Sequence, residues 1–363
     1  LRLICEREDE IQAFTPEEYW SIVALLEKDG QEFEAKLHQI QGKAFTLSSG
    51  EEAQGVLSDI QDRTFLVTAV KRRERKKNPF PPFTTSTLQQ AAAKRLRFST
   101  RKTMSTAQRL YEGVEMGSKE SSGLITYMRT DSTRVAASAV DQARSWIRGE
   151  MGDSYLAPSP RLFQGKQQRG AQEAHEAIRP TDPTLHPDEA RNYLKSEEAD
   201  LYELIWLRFV ASQMAPAIYD TTTVDFQLEG ASGSSYLFRS TGSVVKFPGF
   251  TRLYQEATES GDHRRLDDLE ALPVMEKGDP TALKALQPNQ HFTQPPPRFS
   301  EASLVKELEK LGIGRPSTYA QIISTIRDRG YVEAEKGRFS PTPLGDTVSK
   351  LLVKVFPDIF DVG

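Results

Sequence analysis

The sequence predicts a multidomain chain of mixed α and β structure, a β-rich region interrupted by a helical one. Three observations carry that reading. Strand-like and helix-like stretches alternate in blocks of tens of residues. Pro-rich segments, "NPFPPF" and "QPPPRF", mark where blocks change. The last block has the pattern of a helix-turn-helix followed by a hairpin wing.

In order, residues 1–14 read as helix. From Tyr19 to about Val70 the pattern is of short strands, "EFEAKLHQI", "KAFTL" and "TFLVTAV", broken by Gly and Ser. "NPFPPF" is a stiff, extended exit, because Pro fixes φ and biases its predecessor away from helix. Residues 84–114 turn helical, with "STLQQAAAKRL" and "STAQRLYEG" both opening on Ser/Thr caps. Helices continue through "SAVDQARSWI" and "EEADLYELIWLRFVASQM", and strands return at "YDTTTVDFQLEG", "SSYLFRSTGSVV" and up to about Leu286. After "QPPPRF", "EASLVKELEKLGI" puts Leu304, Leu308 and Leu311 on one helical stripe. "GRPST" makes a turn with Ser317 or Thr318 as N-cap, and a second helix ends at Gly330. "YVEAEKGRFSPTPLG" then reads as a hairpin about Lys336-Gly337. Helical hairpins are also common packing units, so this pattern alone leaves both readings open.

Composition bounds the class. The 363 residues suffice for two or three cores, and 37% hydrophobic with 27% charged content is ordinary for a soluble globular protein. One cysteine, Cys5, excludes an internal disulfide or a four-cysteine zinc site and fits a reducing compartment. No apolar run is long enough to span a bilayer, and no signal peptide opens the chain. The first residue is Leu, in what reads as mid-helix, so a fragment of something larger is expected.

The net charge of −4 hides a segregation. "KRRERKK" (71–77) is followed by Lys94, Arg95, Arg97, Arg101, Lys102 and Arg109, whereas acids collect near "RRLDDLE". An isolated basic run is often only a solvated strand end. Two such clusters flanking one polar segment favour a polyanion partner.

That segment is "GLITYMRTDST" (123–133), where Tyr127 is followed at once by Arg129, Thr130, Asp131, Ser132 and Thr133, residues suited to phosphate. A second cluster, "AQEAHEAIRPTD" (171–182), brings Glu173, His175, Glu176 and Arg179 within seven residues. On a helix Glu173 and His175 fall on different faces, and the i, i+4 histidines of a zinc protease are absent. His175 beside Arg179 suits a phosphate, with the imidazole donating a hydrogen bond or a proton. A surface helix of mixed charge is the plain alternative.

"SSGLITYMRTDSTRVAASAV", "AQEAHEAIRPTD" and "LGIGRPSTYAQIISTIRDRGYV" resemble three signature stretches of the bacterial type IA DNA topoisomerase I family, in order and at similar spacing. "LRLICEREDEIQAFTPEEYW" and "FTQPPPRFSEASLVKELE" resemble its passages out of and back into the fourth domain, so the likeness covers essentially the whole chain. The family fold is a four-domain toroid around a hole wide enough for duplex DNA. The resemblance implies that residues 1–20 and 291–363 belong to domain IV, the latter winged-helix-like. It implies further that 21–83 and 214–290 form domain II and that 84–213 form domain III.

It also implies function. Tyr127 matches the nucleophile that forms a 5′-phosphotyrosine, allowing strand passage and religation that relax negative supercoils without ATP. Arg129 and His175 match the catalytic positions, while Arg315, Thr318, Arg179 and Arg101 are expected to bind DNA. The substrate is single-stranded or underwound DNA, and a monomer in the cytoplasm, associated with the nucleoid, is expected. Mg²⁺ is the implied cofactor, held by the acidic residues of an N-terminal Toprim domain. No D-x-D-x-E spacing occurs here, so the chain is expected to bind no metal and to be unable to turn over alone. Two rivals are a winged-helix DNA-binding protein in which Tyr127 is structural, and a tyrosine recombinase or type IB enzyme. The Arg-Lys-His-Arg set of the second is not found.

Overall fold

A computed structural model describes residues 1–116, 119–163, 175–257 and 269–357. Helix α1 (Arg2–Ala13) leads into strands β1 (Glu18–Lys28) and β2 (Gln31–Ile40), joined at Asp29-Gly30. Both turn residues have positive φ, 52° and 80°, as a tight right-twisted hairpin needs. The next element departs from the expected strands. Gly50–Ile60 is a helix, α2, capped by the Ser49 hydroxyl, which accepts from the Glu52 N–H. Its buried Ala53, Val56, Leu57 and Ile60 have the i, i+3, i+4, i+7 spacing of one helical face. "KAFTL" supplies only isolated bridges, Ile40 with Lys43 and Trp20 with Leu47.

Strand β3 (Phe65–Lys77) carries the whole basic run. The helical block follows with α3 (Thr85–Arg95), α4 (Thr100–Glu112), the short pair β4 (Val114–Met116) and β5 (Lys119–Ser122), α5 (Ala137–Met151), α6 (Pro187–Ala190) and α7 (Ser196–Ser212). Helix α4 is capped by Ser99, one and a half turns before the Ser105-Thr106 pair expected to open it. Strands β6 (Ala217–Glu229), β7 (Ser235–Phe247) and β8 (Pro280–Phe292) then complete a sheet with the first three. The chain ends with α8 (Glu301–Lys310), α9 (Tyr319–Asp328), the hairpin β9 (Val332–Glu335) and β10 (Arg338–Pro341), and α10 (Pro343–Val355). The hairpin turns at Lys336-Gly337, both at positive φ, as the sequence suggests.

The six long strands close a barrel in the order β1-β2-β7-β6-β3-β8, every pair antiparallel. Closure therefore depends on strands contributed from both sides of the helical block. Ile22, Ala24 and Leu26 of β1 meet Phe33, Ala35, Phe226 and Phe238 inside, and α2 lays its apolar face onto the same core. In the basic half of β3, Lys71, Arg73 and Arg75 pair in register with Thr223, Thr221 and Tyr219 of β6. The run is thus a solvated strand, but one whose cations line a shallow cavity of about 190 Å³ with Arg239.

A second core belongs to the helical block, where Leu201, Ile205, Trp206 and Phe209 of α7 pack on Leu88, Leu110 and Ile147. A third joins the two chain ends: Ile4 of α1 packs with Leu304, Val305, Leu308, Ile323 and Phe339. Arg298 reinforces it with two 2.8 Å hydrogen bonds to the Glu8 carboxylate.

Arg208 fixes "NPFPPF" against the helical core. It is only 4% exposed, donates to the Pro81 carbonyl at 2.6 Å and to Glu256 at 2.6 Å, and lies over the Phe80, Phe83 and Tyr254 rings. Arg208→Ala is expected to cost about 3–5 kcal/mol, because a large buried side chain packed on three rings is removed and the Pro81 carbonyl loses its donor. Arg208→Lys should recover only part, lacking the planar fork that both bonds and stacks. Urea unfolding midpoints of the three proteins check this. A shift under half a kcal/mol for the alanine variant would remove the anchor role.

Candidate active site

The Tyr127 segment is extended and is laced on both sides. On one side Thr85, fully buried at the start of α3, donates its hydroxyl to the Met128 carbonyl at 2.6 Å. The same oxygen accepts from the Thr130 N–H at 2.9 Å, and the Thr85 N–H returns to the Thr130 carbonyl. On the other side the Thr126 N–H donates to the Arg179 carbonyl, and its hydroxyl donates to that of Ala177 at 2.7 Å. Ile125 bridges Pro180, Ile178 bridges Phe83, and the Ala177 N–H reaches the Arg134 carbonyl. Residues 175–180 are therefore extended rather than helical, and Pro180 ends no helix. Glu173 lies outside the described residues.

This lacing positions the chemistry. Leu124, Ile125 and Met128 turn into the core, leaving Tyr127 half-buried and Arg129 exposed. The Tyr127 ring stands 5.2 Å from the His175 ring and 5.4 Å, edge-on, from Tyr111. Among the described residues neither the Tyr127 hydroxyl nor the His175 ring has a hydrogen-bond partner, and Arg129 pairs with no carboxylate. A phenol, an imidazole and a guanidinium stand on a laced backbone with their polar ends uncommitted among the described residues.

Gly123 admits the segment to this place. A Cβ there would stand 2.4 Å from the Tyr111 carbonyl oxygen, closer than any real contact. Gly123→Ala is expected to cost about 1–3 kcal/mol as an overpacked contact and to shift the segment that carries Tyr127. Unfolding midpoints and the reactivity of Tyr127 toward a phenol-modifying reagent would both have to change. Unchanged values would show that the close approach matters to neither.

Of the four DNA-contact expectations, Arg101 shares a cavity of about 330 Å³ with Arg129, Pro316, Ser317 and Gln321, and pairs with Asp328 at 3.3 Å. Arg315 is exposed in the turn before α9 and folds its guanidinium onto the Gly312 and Gly314 carbonyls. Thr318 occupies the N-cap position of α9 but makes no side-chain cap. Its hydroxyl instead accepts from the Arg315 N–H at 2.8 Å, closing the turn before the helix starts. Gly314, at φ +78°, lets that turn form where a Cβ would press on Ile322 and Thr318. Arg179 is placed differently: its side chain is 11% exposed, pairs with Glu176 at 2.8 Å and donates to the Pro180 carbonyl. The cluster that the sequence brought together in "HEAIRP" is thus split, with His175 facing Tyr127 and Arg179 buttressing the backbone.

Helices α8 and α9 close over this region. The Ser86 hydroxyl donates to Glu309 at 2.7 Å, and the Glu301 carboxylate accepts from the Thr100 N–H at 2.6 Å and from Arg327 at 2.8 Å. Burial, with Glu309 and Asp131 nearby, pushes the Tyr319 phenol above its ordinary range. Asp131, four residues past Tyr127, thus faces the helix that follows "GRPST".

A model of the family described as DNA topoisomerase matches residues 1–363. The chain belongs to that family. It is similar to full-length topoisomerase I from Thermotoga maritima, with 37% identity and a TM-score of 0.80 over 99% of this chain. The match covers 55% of that chain, so the present one spans about half of its length. The mixed architecture, barrel and helical block together, is that of a type IA topoisomerase core. Among the described residues no helix is long and apolar enough to cross a membrane.

Thr85, Tyr111 and Gly123 escaped the sequence reading. Thr85 sits in a run of threonines where only its contact 43 residues away sets it apart. Tyr111 and Gly123 reveal themselves only once α4 is seen to end beside the Tyr127 segment.

Proposed function

We propose that this topoisomerase chain carries the strand-cutting face of a type IA enzyme, which relaxes negative supercoils in DNA without ATP. The observation that supports it is the Tyr127 hydroxyl, without a partner among the described residues, beside His175 on a backbone pinned by Thr85 and Thr126. Tyr127 Oη attacks the phosphorus of a single strand, a P–O bond to the tyrosine forms, and the bond to the 3′ oxygen breaks. The phenol gives up its proton, the 3′ oxygen takes one up and leaves as a hydroxyl, and the strand is held through its 5′ phosphate. One phosphate ester replaces another, so the bond can be returned without ATP. Arg129 offsets the charge that builds on the non-bridging oxygens, and His175 orients or protonates near the scissile phosphate.

In this reading the barrel is domain II, the helical block is domain III, and the core joining the chain ends belongs to domain IV. Arg101, Arg315 and Thr318 hold the strand. Single-stranded or underwound DNA is the substrate, and the protein works as a cytoplasmic, nucleoid-associated monomer. In this reading Mg²⁺ is the cofactor and is held by the acidic residues of an N-terminal Toprim domain.

The test uses the 363-residue chain. It is expected to bind single-stranded oligonucleotide in preference to duplex, with affinity falling steeply with salt as counterions are released. Supercoiled plasmid should stay unrelaxed on a gel, with or without Mg²⁺. A preference for duplex, as a simple winged-helix binder would show, would overturn the assignment, whereas efficient relaxation would overturn the need for the Toprim acids.

A further inference from the structure

Three cavities follow the seam between α3–α4 and α8–α9, between the contacts that cross it. The cavity holding Arg129 and Arg101 shares Arg101 and Ser324 with a second, of about 370 Å³. The second shares Ser99, Glu301 and Arg327 with a third, of about 650 Å³, that runs to the β9–β10 hairpin. The three form one groove that starts two residues from Tyr127.

Charge along the groove is uneven. In its middle the cations are neutralised, Arg101 by Asp328 and Arg327 by Glu301. At the far end Lys94, Arg97 and Lys336 line the large cavity, and none of them pairs with a carboxylate among the described residues. Arg97 adds a further sign. It holds φ 58°, a left-handed conformation in which glycine would be unstrained. A cation is kept at a strained link between two helices, at a cavity that Lys94, Arg327, Lys336 and Arg338 also line. Strain of that kind gathers where a ligand is held.

We propose that this far end is a second phosphate-binding site, which takes the same single strand several nucleotides away from the bond cut at Tyr127. The proposal rests on the functional reading above, because continuity of the groove with the Tyr127 segment identifies the ligand. Unpaired cations at both ends, with a neutral middle, suit a polyphosphate backbone that is gripped at two points. Such a grip would steady the strand across the contact between α3–α4 and α8–α9.

The test compares single-stranded oligonucleotides of about 6 and about 16 nucleotides, lengths within the range of single-strand sites. The variant combines Lys94→Ala, Arg97→Gly and Lys336→Asn. Glycine relieves the strain at position 97, and asparagine tolerates the positive φ of 48° at Lys336, so the fold is kept. Binding is followed by fluorescence anisotropy across a salt series. With the longer strand, the slope of log affinity against log salt is expected to fall by about 2, at about 0.7 per lost phosphate contact. With the shorter strand it should not change. An unchanged slope with the longer strand, an equal loss with both, or a loss seen only with duplex would overturn the second site. If the parent chain bound neither strand, the functional reading itself would fail, and the second site with it.

Discussion

Tyr127→Phe, made in the whole topoisomerase protein, is expected to abolish covalent capture of DNA and relaxation while leaving single-strand affinity within about twofold. The substitution removes one oxygen, and that oxygen is the reacting atom of the proposed mechanism. It removes no charge, so phosphate attraction is untouched. Nothing in the fold depends on it, because the hydroxyl has no hydrogen-bond partner among the described residues. The ring keeps its contacts with His175 and Tyr111, which involve the face and edge that phenylalanine shares. A suicide oligonucleotide, trapped on denaturing gels, reads capture directly, and anisotropy reads affinity. A phenylalanine variant that still formed a covalent complex would place the nucleophile elsewhere. One that lost affinity as well would make Tyr127 a binding residue.

Tyr127 stands out as a candidate because its neighbours are chemically improbable for a core tyrosine: apolar residues before it, then arginine, threonine, aspartate and serine. Its setting was not legible. Thr85 pins the segment from 43 residues away and Ala177 from 51 away, and such distances leave no local periodicity to read. The same limit explains the split between His175 and Arg179. Four residues apart, they were read as one helical cluster, but the backbone there is extended and laced to Thr126 and Phe83. Side chains four apart then need not converge as they do on a helix.

The fold divides in a similar way. Hydrophobic alternation exposed the long strands, and Pro-rich exits exposed where β gives way to α. Helix α2 was missed because the Ser and Gly residues before it resemble a strand break, although its four buried residues keep helical spacing. Closure of the barrel was out of reach altogether. Its order needs β3 beside both β6 and β8 across the helical block, and pairing at that separation leaves no mark in either strand alone. The carboxylates of Glu301 and Glu309 give another example. In sequence they belong to an ordinary amphipathic helix, and only the tertiary contact shows them receiving Thr100 and Ser86.

Arg129→Ala, in the whole protein, is expected to slow strand cleavage by about 10²–10³ while changing single-strand affinity far less. The argument starts from what the residue lacks. Arg129 is exposed and has no ion pair or hydrogen bond among the described residues, so its loss orphans no carboxylate and weakens no core. Its backbone is held between Met128 and Thr130 by Thr85 whatever the side chain is. The guanidinium is therefore fixed at its root and, among the described residues, free at its tip, two residues from Tyr127. Charge on the non-bridging oxygens is greatest as Tyr127 Oη and the 3′ oxygen exchange, so a cation there acts more strongly on the transition state than on the bound strand. Many phosphate contacts share the binding, and losing one lowers affinity modestly. Arg129→Lys should recover only part of the rate, since a point charge cannot bracket two oxygens as a planar fork does. Single-turnover cleavage rates and anisotropy, measured on the same oligonucleotide, separate the two effects. Equal losses in rate and affinity would make Arg129 a positioning contact for the strand, and the charge stabilisation would have to come from another residue.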